Sequence, residues 1–251
     1  MAHEEYIRVV PGADTAVLFI HGILGTPNHF QKLIPLVPEN CTICNLLLPG
    51  HGGTVRDFSA SSMDQWQKYV EETFNKLRKS HKRIFIVAHS MGTLLAIEQA
   101  VKSPEQIAGL FLLAVPLRLG LRWQMVKNAW SVYRNNTPSD DPLLRATRAA
   151  CSIQQDRNLL LYLGWIPRYL ELFSLMGSVR RILPLLKVPG IAFQSRLDEM
   201  VSLRSVRDME RNNVLNVCLL SDSRHFYYAD KDLSTVMEAF SRFISVQKEA
   251  S

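Results

Sequence analysis

Ser90 stands in Ala88-His89-Ser90-Met91-Gly92, a serine with a small residue two places away on either side. Such a hydroxyl could attack an acyl carbon, provided that a base takes its proton and a third group holds the base. The small neighbours matter because a nucleophile on a tight strand-to-helix turn adopts a positive φ while other backbone passes close by. Ala88 replaces the usual first glycine, and one methyl leaves room for the turn. The flanks suit it. Arg83-Ile84-Phe85-Ile86-Val87 is an apolar, β-branched-rich run of the buried parallel-strand kind, and Thr93-Leu94-Leu95-Ala96-Ile97-Glu98-Gln99-Ala100 is rich in helix formers.

With a serine on such an elbow, the partners follow along the chain as an acid and then a histidine. Asp198, just past the apolar run Gly190–Gln194, and His225, just past Val214–Leu219, have that order. Glu199 is the next choice of acid; Asp208 also competes, and Asp222 lies too close to His225 in sequence. Among the other histidines, His3 and His81 lie in polar segments and are expected to be exposed. His29 falls in a helix-like stretch, His89 should pack with its ring turned from the Ser90 hydroxyl, and His21 and His51 occupy glycine-bearing loops. Acyl transfer also needs donors for the developing oxyanion. The backbone N–H of Met91, at a helix start, is one. The other is expected in His21-Gly22-Ile23-Leu24-Gly25-Thr26, from Ile23 or, second, from Leu24.

Residues so far apart meet only if an ordered scaffold brings them to one edge. Seven strand candidates alternate with helices: Tyr6–Val10, Ala16–Ile20, Thr42–Leu47, Arg83–Ala88, Gly109–Ala114, Gly190–Gln194 and Val214–Leu219. That alternation predicts a mainly parallel sheet covered on both faces, whose strand ends share one edge. The pattern predicts a helix over Met63–Lys79, with Ser62 and Gln65 in capping-box spacing and Trp66, Val70, Phe74 and Leu77 in one stripe. It predicts another over Leu233–Val246, carrying Val236, Phe240, Phe243 and Ile244. Between residues 117 and 187 the alternation stops. Asp140-Asp141-Pro142 reads as a helix start and Pro167 opens another, so this stretch is expected to be a helical insertion in a core formed by 1–116 and 188–251. Its apolar residues Trp123, Met125, Trp130, Trp165, Tyr169, Phe173 and Met176 are candidates to line a pocket.

Of the 29 Lys/Arg and 23 Asp/Glu in 251 residues, the insertion holds 11 and 4, leaving 18 and 19 in the core. The net charge of +6 therefore belongs to the insertion, whose basic surface could make weak peripheral contact with an anionic membrane. No nucleic-acid motif accompanies the charge. No leader-like segment opens the chain and no run is long enough to span a bilayer, so a cytoplasmic location is expected. Cys41 and Cys44 have C-x-x-C spacing inside a strand-like run without a second pair; with Cys151 and Cys218 they are expected to be free thiols, not metal ligands.

His21-Gly22, Pro49-Gly50-His51-Gly52, the Ser90 pentapeptide, the Asp198 turn and His225 together resemble the α/β-hydrolase superfamily, from about Thr15 to Phe243. The likeness is nearest to bacterial carboxylesterases and monoacylglycerol lipase-like enzymes, with residues 117–187 matching their helical cap in position alone. It implies an α/β-hydrolase fold and a serine esterase working through an acyl-enzyme, with Ser90, His225 and Asp198 as the triad. It implies no cofactor or metal, and small-molecule esters with apolar or aromatic acyl groups, monoacylglycerols included, as substrates. It also implies that the His51 loop is structural. A serine nucleophile argues against haloalkane dehalogenase and epoxide hydrolase chemistry. Thioesterase, amidase or carbon–carbon hydrolase activity, or a non-catalytic ligand-binding role, are the alternatives that this resemblance leaves open.

Overall fold

The computed structural model describes residues 3–120 and 141–245. Among these residues seven strands form one sheet in the order β1-β3-β2-β4-β5-β6-β7. They are β1 (Tyr6–Arg8), β2 (Thr15–Ile20), β3 (Thr42–Asn45), β4 (Arg83–His89), β5 (Ile107–Leu113), β6 (Gly190–Ser195) and β7 (Leu215–Leu220). Only β1 runs antiparallel, against β3. Every strand candidate is present, and the α/β-hydrolase fold expected from the sequence is the fold observed. The chain steps outward from β2 to β3, then crosses back to place β4 on the other side of β2, where Ile20 pairs with Ala88. Such a reversal opens a crevice beyond the carboxyl ends of the strands.

Among the described residues the helices are α1 (Val55–Ala60), α2 (Met63–Leu77), α3 (Met91–Lys102), α4 (Pro142–Ala150), α5 (Ile166–Ile182), α6 (Arg204–Met209) and α7 (Asp230–Ser245). The α2 stripe is buried as its spacing predicts, and Trp66 Nε1 donates to Pro49 O at 2.8 Å. Ser62 Oγ caps α2 by accepting from Gln65 N, while the Met63 N–H is taken by the Glu171 carboxylate at 2.9 Å, from α5. The complete capping box lies one helix earlier, where Thr54 and Asp57 exchange bonds at the start of α1. α3 is buried nearly all round, between the sheet and α5, whose Leu172, Leu175, Met176 and Val179 share its cluster. On the opposite face Phe19, Phe30, Phe85, Phe111, Phe193 and Phe240 build a second core beneath α7.

Asp141 caps α4 by accepting from Leu143 N, and Pro167 sits in the first turn of α5. Trp123, Met125, Trp130 and Asp140 lie outside the described residues. Phe173 is a correction: it points outward, 44% exposed, and Met176 belongs to the buried core. Trp165 and Tyr169 pack half-buried against that core. His81 is also corrected. It is buried, its Nδ1–H donating to Leu77 O and its Nε2 accepting from Thr42 Oγ1, both at 2.9 Å. All four cysteines are free, Cys41 and Cys44 buried. Among the described residues, no helix is long and apolar enough to cross a membrane.

Candidate active site

β4 delivers Ser90 to the crevice, and the residue takes φ 51°, ψ −126° before α3 begins at Met91. Only Leu24 and Ala114 join it as described non-glycine residues with positive φ. The strained turn is possible because its neighbours are small. A Cβ on Gly92 would lie 2.2 Å from Ile20 O, and one on Gly22 would lie 2.8 Å from Ser90 Cβ. Ala88, by contrast, has its methyl in the sheet core, paired with Ile20 and Leu112. Glycine is required after the serine and not before it.

The ends of β6 and β7 supply the partners. His225 Nε2 lies 3.1 Å from Ser90 Oγ, and His225 Nδ1 lies 2.9 Å from Asp198 Oδ2. The carboxylate accepts the Nδ1–H, which leaves Nε2 to accept from the hydroxyl. Asp198 Oδ1 accepts from the N–H groups of Met200 and Val201, each at 2.8 Å, and Gln194 Nε2 donates to Oδ2 at 3.2 Å. All three side chains are buried. Burial disfavours the Asp198 carboxylate, but the His225 charge and hydrogen bond, with the two backbone donors, hold its pKa below the usual value. Burial likewise disfavours the His225 imidazolium, yet the Asp198 charge and hydrogen bond and the Glu199 charge outweigh it, raising its pKa. A base that gains affinity for a proton at the serine suits general-base chemistry.

Three features escaped the sequence. Glu199, the second-choice acid, instead accepts from the His225 backbone N–H at 3.3 Å. Asp208 is away from the site, paired with Arg118. Behind His225 stands a histidine stack: the His89 and His29 rings lie 3.8 Å apart, and His89 lies 5.0 Å from His225, its Nε2–H donating to His225 O at 3.1 Å. His89 thus turns from the nucleophile, as its position predicts. Burial drives the His29 pKa down to about 3 and His21 to about 4, and holds His89 and His51 well below 6.5, so all four stay neutral. Adjacent letters in the sequence (Asp198-Glu199, His89-Ser90) were the sole signal of these roles.

The loop expected to supply the second oxyanion donor follows β2. His21 Nε2 accepts from Leu48 N and its Nδ1–H donates to Gly22 O, fixing the loop over Ser90. Ile23 is buried beside it, and no acceptor among the described residues takes its N–H. Leu24 O accepts from Ser152 N at 2.9 Å, and Gly53 O from Gln154 N at 2.9 Å, so the segment before α5 is stitched to this loop and to the His51 loop. His51 packs on His21, Phe58 and Trp66. Ile23 thus follows Gly22, which lies against Ser90, in the loop after β2, and Met91 opens α3 directly after the serine. Among the described residues, no group of His, Cys, Asp and Glu has the arrangement of a metal site.

A family model described as the alpha/beta hydrolase family matches residues 17–232. Human monoacylglycerol lipase ABHD6 is 27% identical over 116 residues, which cover 44% of this chain and 34% of that protein, so the match spans about a third of the relative's length. A solved structure from work on LipS and LipT, two metagenome-derived lipolytic enzymes, superposes with a TM-score of 0.75 at 20% identity, covering 98% of both chains. The monoacylglycerol lipase of Paleococcus ferrophilus superposes with a TM-score of 0.66 at 18% identity, covering 96% of this chain and 98% of that one.

Proposed function

We propose that this chain, which belongs to the alpha/beta hydrolase family, is a serine carboxylic-ester hydrolase acting through an acyl-enzyme. One observation carries the reading: a buried, continuous hydrogen-bonded line from Ser90 Oγ through His225 to Asp198, ending on a serine held at positive φ. Ser90 Oγ attacks the ester carbonyl as its proton passes to His225 Nε2. The oxyanion is received by the Ile23 and Met91 N–H groups. The tetrahedral intermediate collapses, the C–O bond breaks, and the imidazolium returns the proton to the departing alcohol. Water then repeats the sequence against the acyl-enzyme, releasing the acid and Ser90. Asp198 keeps the Nδ1–H tautomer throughout. Residues 117–187 form the cap in this reading, although α5 packs on α3. Small to medium apolar or aromatic acyl esters are the substrate class. Monoacylglycerols are the specific candidate, supported by the monoacylglycerol lipases among the similar proteins.

Ser90→Ala should lower kcat on p-nitrophenyl butyrate by about three orders of magnitude or more. A fluorophosphonate probe should label Ser90 in the parent protein and nothing in the variant. Turnover or labelling that survives the substitution would sink the proposal.

A further inference from the structure

The exposed side of α5 breaks the rule that α2 obeys. On α2 the outward positions are Asp64, Lys68, Glu71 and Glu72, an ordinary solvated face. On α5, Ile166, Leu170, Phe173, Gly177 and Arg181 follow at intervals of three and four, which places them on one side. The opposite side, Leu172, Leu175, Met176 and Val179, is the buried one. Leu160 and Leu163, from the 3-10 turn Leu159–Trp165, lead into the stripe, and its five large apolar side chains are between 44% and 72% exposed. No acidic residue interrupts it. Contiguous exposed apolar surface of this kind marks an interaction site.

The charge at its far end identifies the partner. Arg118, Arg180, Arg181 and Arg211 line a recess of about 310 Å³ at the carboxyl end of α5, where Asp208 is the one carboxylate. Asp208 is already shared between Arg118 and Arg211. An apolar stripe that runs into clustered guanidinium groups fits acyl chains below and anionic headgroups above. A second copy of the chain fits badly, because pairing two such faces brings together two segments of net charge +7.

We propose that the outer face of α5 and of the turn before it docks on an anionic lipid bilayer, with Leu163, Ile166, Leu170 and Phe173 entering the interface and Arg181 and Arg211 meeting lipid phosphates. The same two elements turn Tyr162, Trp165 and Tyr169 inward to the core, so their aromatic side chains stay with the protein while the outer face meets the lipid. Basic charge alone left membrane contact as one option; the apolar stripe beside it makes the surface specific.

The test floats the full chain through sucrose with vesicles of phosphatidylcholine, with or without phosphatidylserine, at low and high salt. Binding is expected with phosphatidylserine, weak without it, and reduced by salt. Arg181→Gln combined with Arg211→Gln should weaken partitioning by about 25-fold, given about fivefold per arginine at an anionic surface. Leu163→Gln combined with Leu170→Gln should weaken it at least as much while leaving the circular dichroism spectrum unchanged. Should the glutamines unfold the segment, the arginine pair on exposed side chains decides alone. No flotation on anionic vesicles, flotation that both variants retain, or a parent dimer that the Leu163 and Leu170 changes disperse, would each overturn the proposal. Flotation is read without turnover, so it stands or falls separately from the hydrolase reading.

Discussion

Asp198→Asn separates the role of the carboxylate from its shape. Asp198 Oδ1 accepts two backbone N–H groups, so in the variant the amide oxygen must stay there. The amide nitrogen then replaces Oδ2, 2.9 Å from His225 Nδ1. Two donors face each other, and the imidazole relieves the conflict by moving its proton to Nε2. That nitrogen now donates toward Ser90 Oγ and can no longer take its proton. Gln194 meets the same conflict but has a remedy: its Oε1 is buried without a partner, and an amide flip lets it accept from the new NH2. The fold should therefore survive with a loss of about 1–3 kcal/mol, the worth of a charged hydrogen bond. Catalysis should fall by about 10⁴, or about 5 kcal/mol of barrier, as wrong-tautomer triads do. The assay is kcat for a soluble p-nitrophenyl ester across pH, beside a thermal melt. In the parent protein the acid limb should lie above pH 6.5, because the His225 pKa is raised. Without the Asp198 charge, burial prevails and the limb should move to lower pH. A variant within tenfold of the parent, or an unmoved limb, would refute the assignment and turn attention to Glu199.

Gly92→Ala places a methyl 2.2 Å from Ile20 O and 2.7 Å from His21 O, both backbone atoms. It should cost about 3 kcal/mol or more, whereas Gly12→Ala, with nothing within 4 Å, should cost about 1 kcal/mol from its positive φ alone; melts of the two variants compare them, and equal losses would contradict the packing argument. The neutral histidines predict acid lability. A base whose folded pKa is lowered binds its proton more readily when unfolded, so stability is lost as pH falls below 6.5 and levels off near the folded pKa. For His21, lowered to about 4, the shift amounts to about 3 kcal/mol. His29, His51 and His89 add in the same direction, and His225, with its raised pKa, opposes them. The melting temperature should drop between about pH 7 and pH 5; a flat profile would mean that these rings are not held neutral.

The sheet was legible because buried parallel strands must be apolar on both faces, so Ile84–Val87 or Leu110–Leu113 can be little else. The nucleophile was legible because the strain of its turn demands a local glycine. Asp198 and His225 needed only chain order and strand ends. What escaped was set by distant partners. His81, between Ser80 and Lys82, reads as surface until Thr42, 39 residues away, receives it. Phe173 and Tyr169 are both aromatic residues on α5, and nothing local says that one faces the core and the other solvent. Glu199 was weighed as an alternative to Asp198 when the two act on different atoms of one histidine.

The stitch from Ser152 to Leu24 has a thermodynamic corollary. A bond that joins two segments couples their equilibria, and coupling is reciprocal. A ligand that favours one arrangement of residues 151–154 favours the matching arrangement of Leu24, next to Ile23, to the extent that this bond couples the two. If the Ile23 N–H receives the oxyanion as proposed, an anion there would steady the 151–154 segment in return. What enters beneath the helical segment and how ready the loop is to hold negative charge are one balance, read from its two ends.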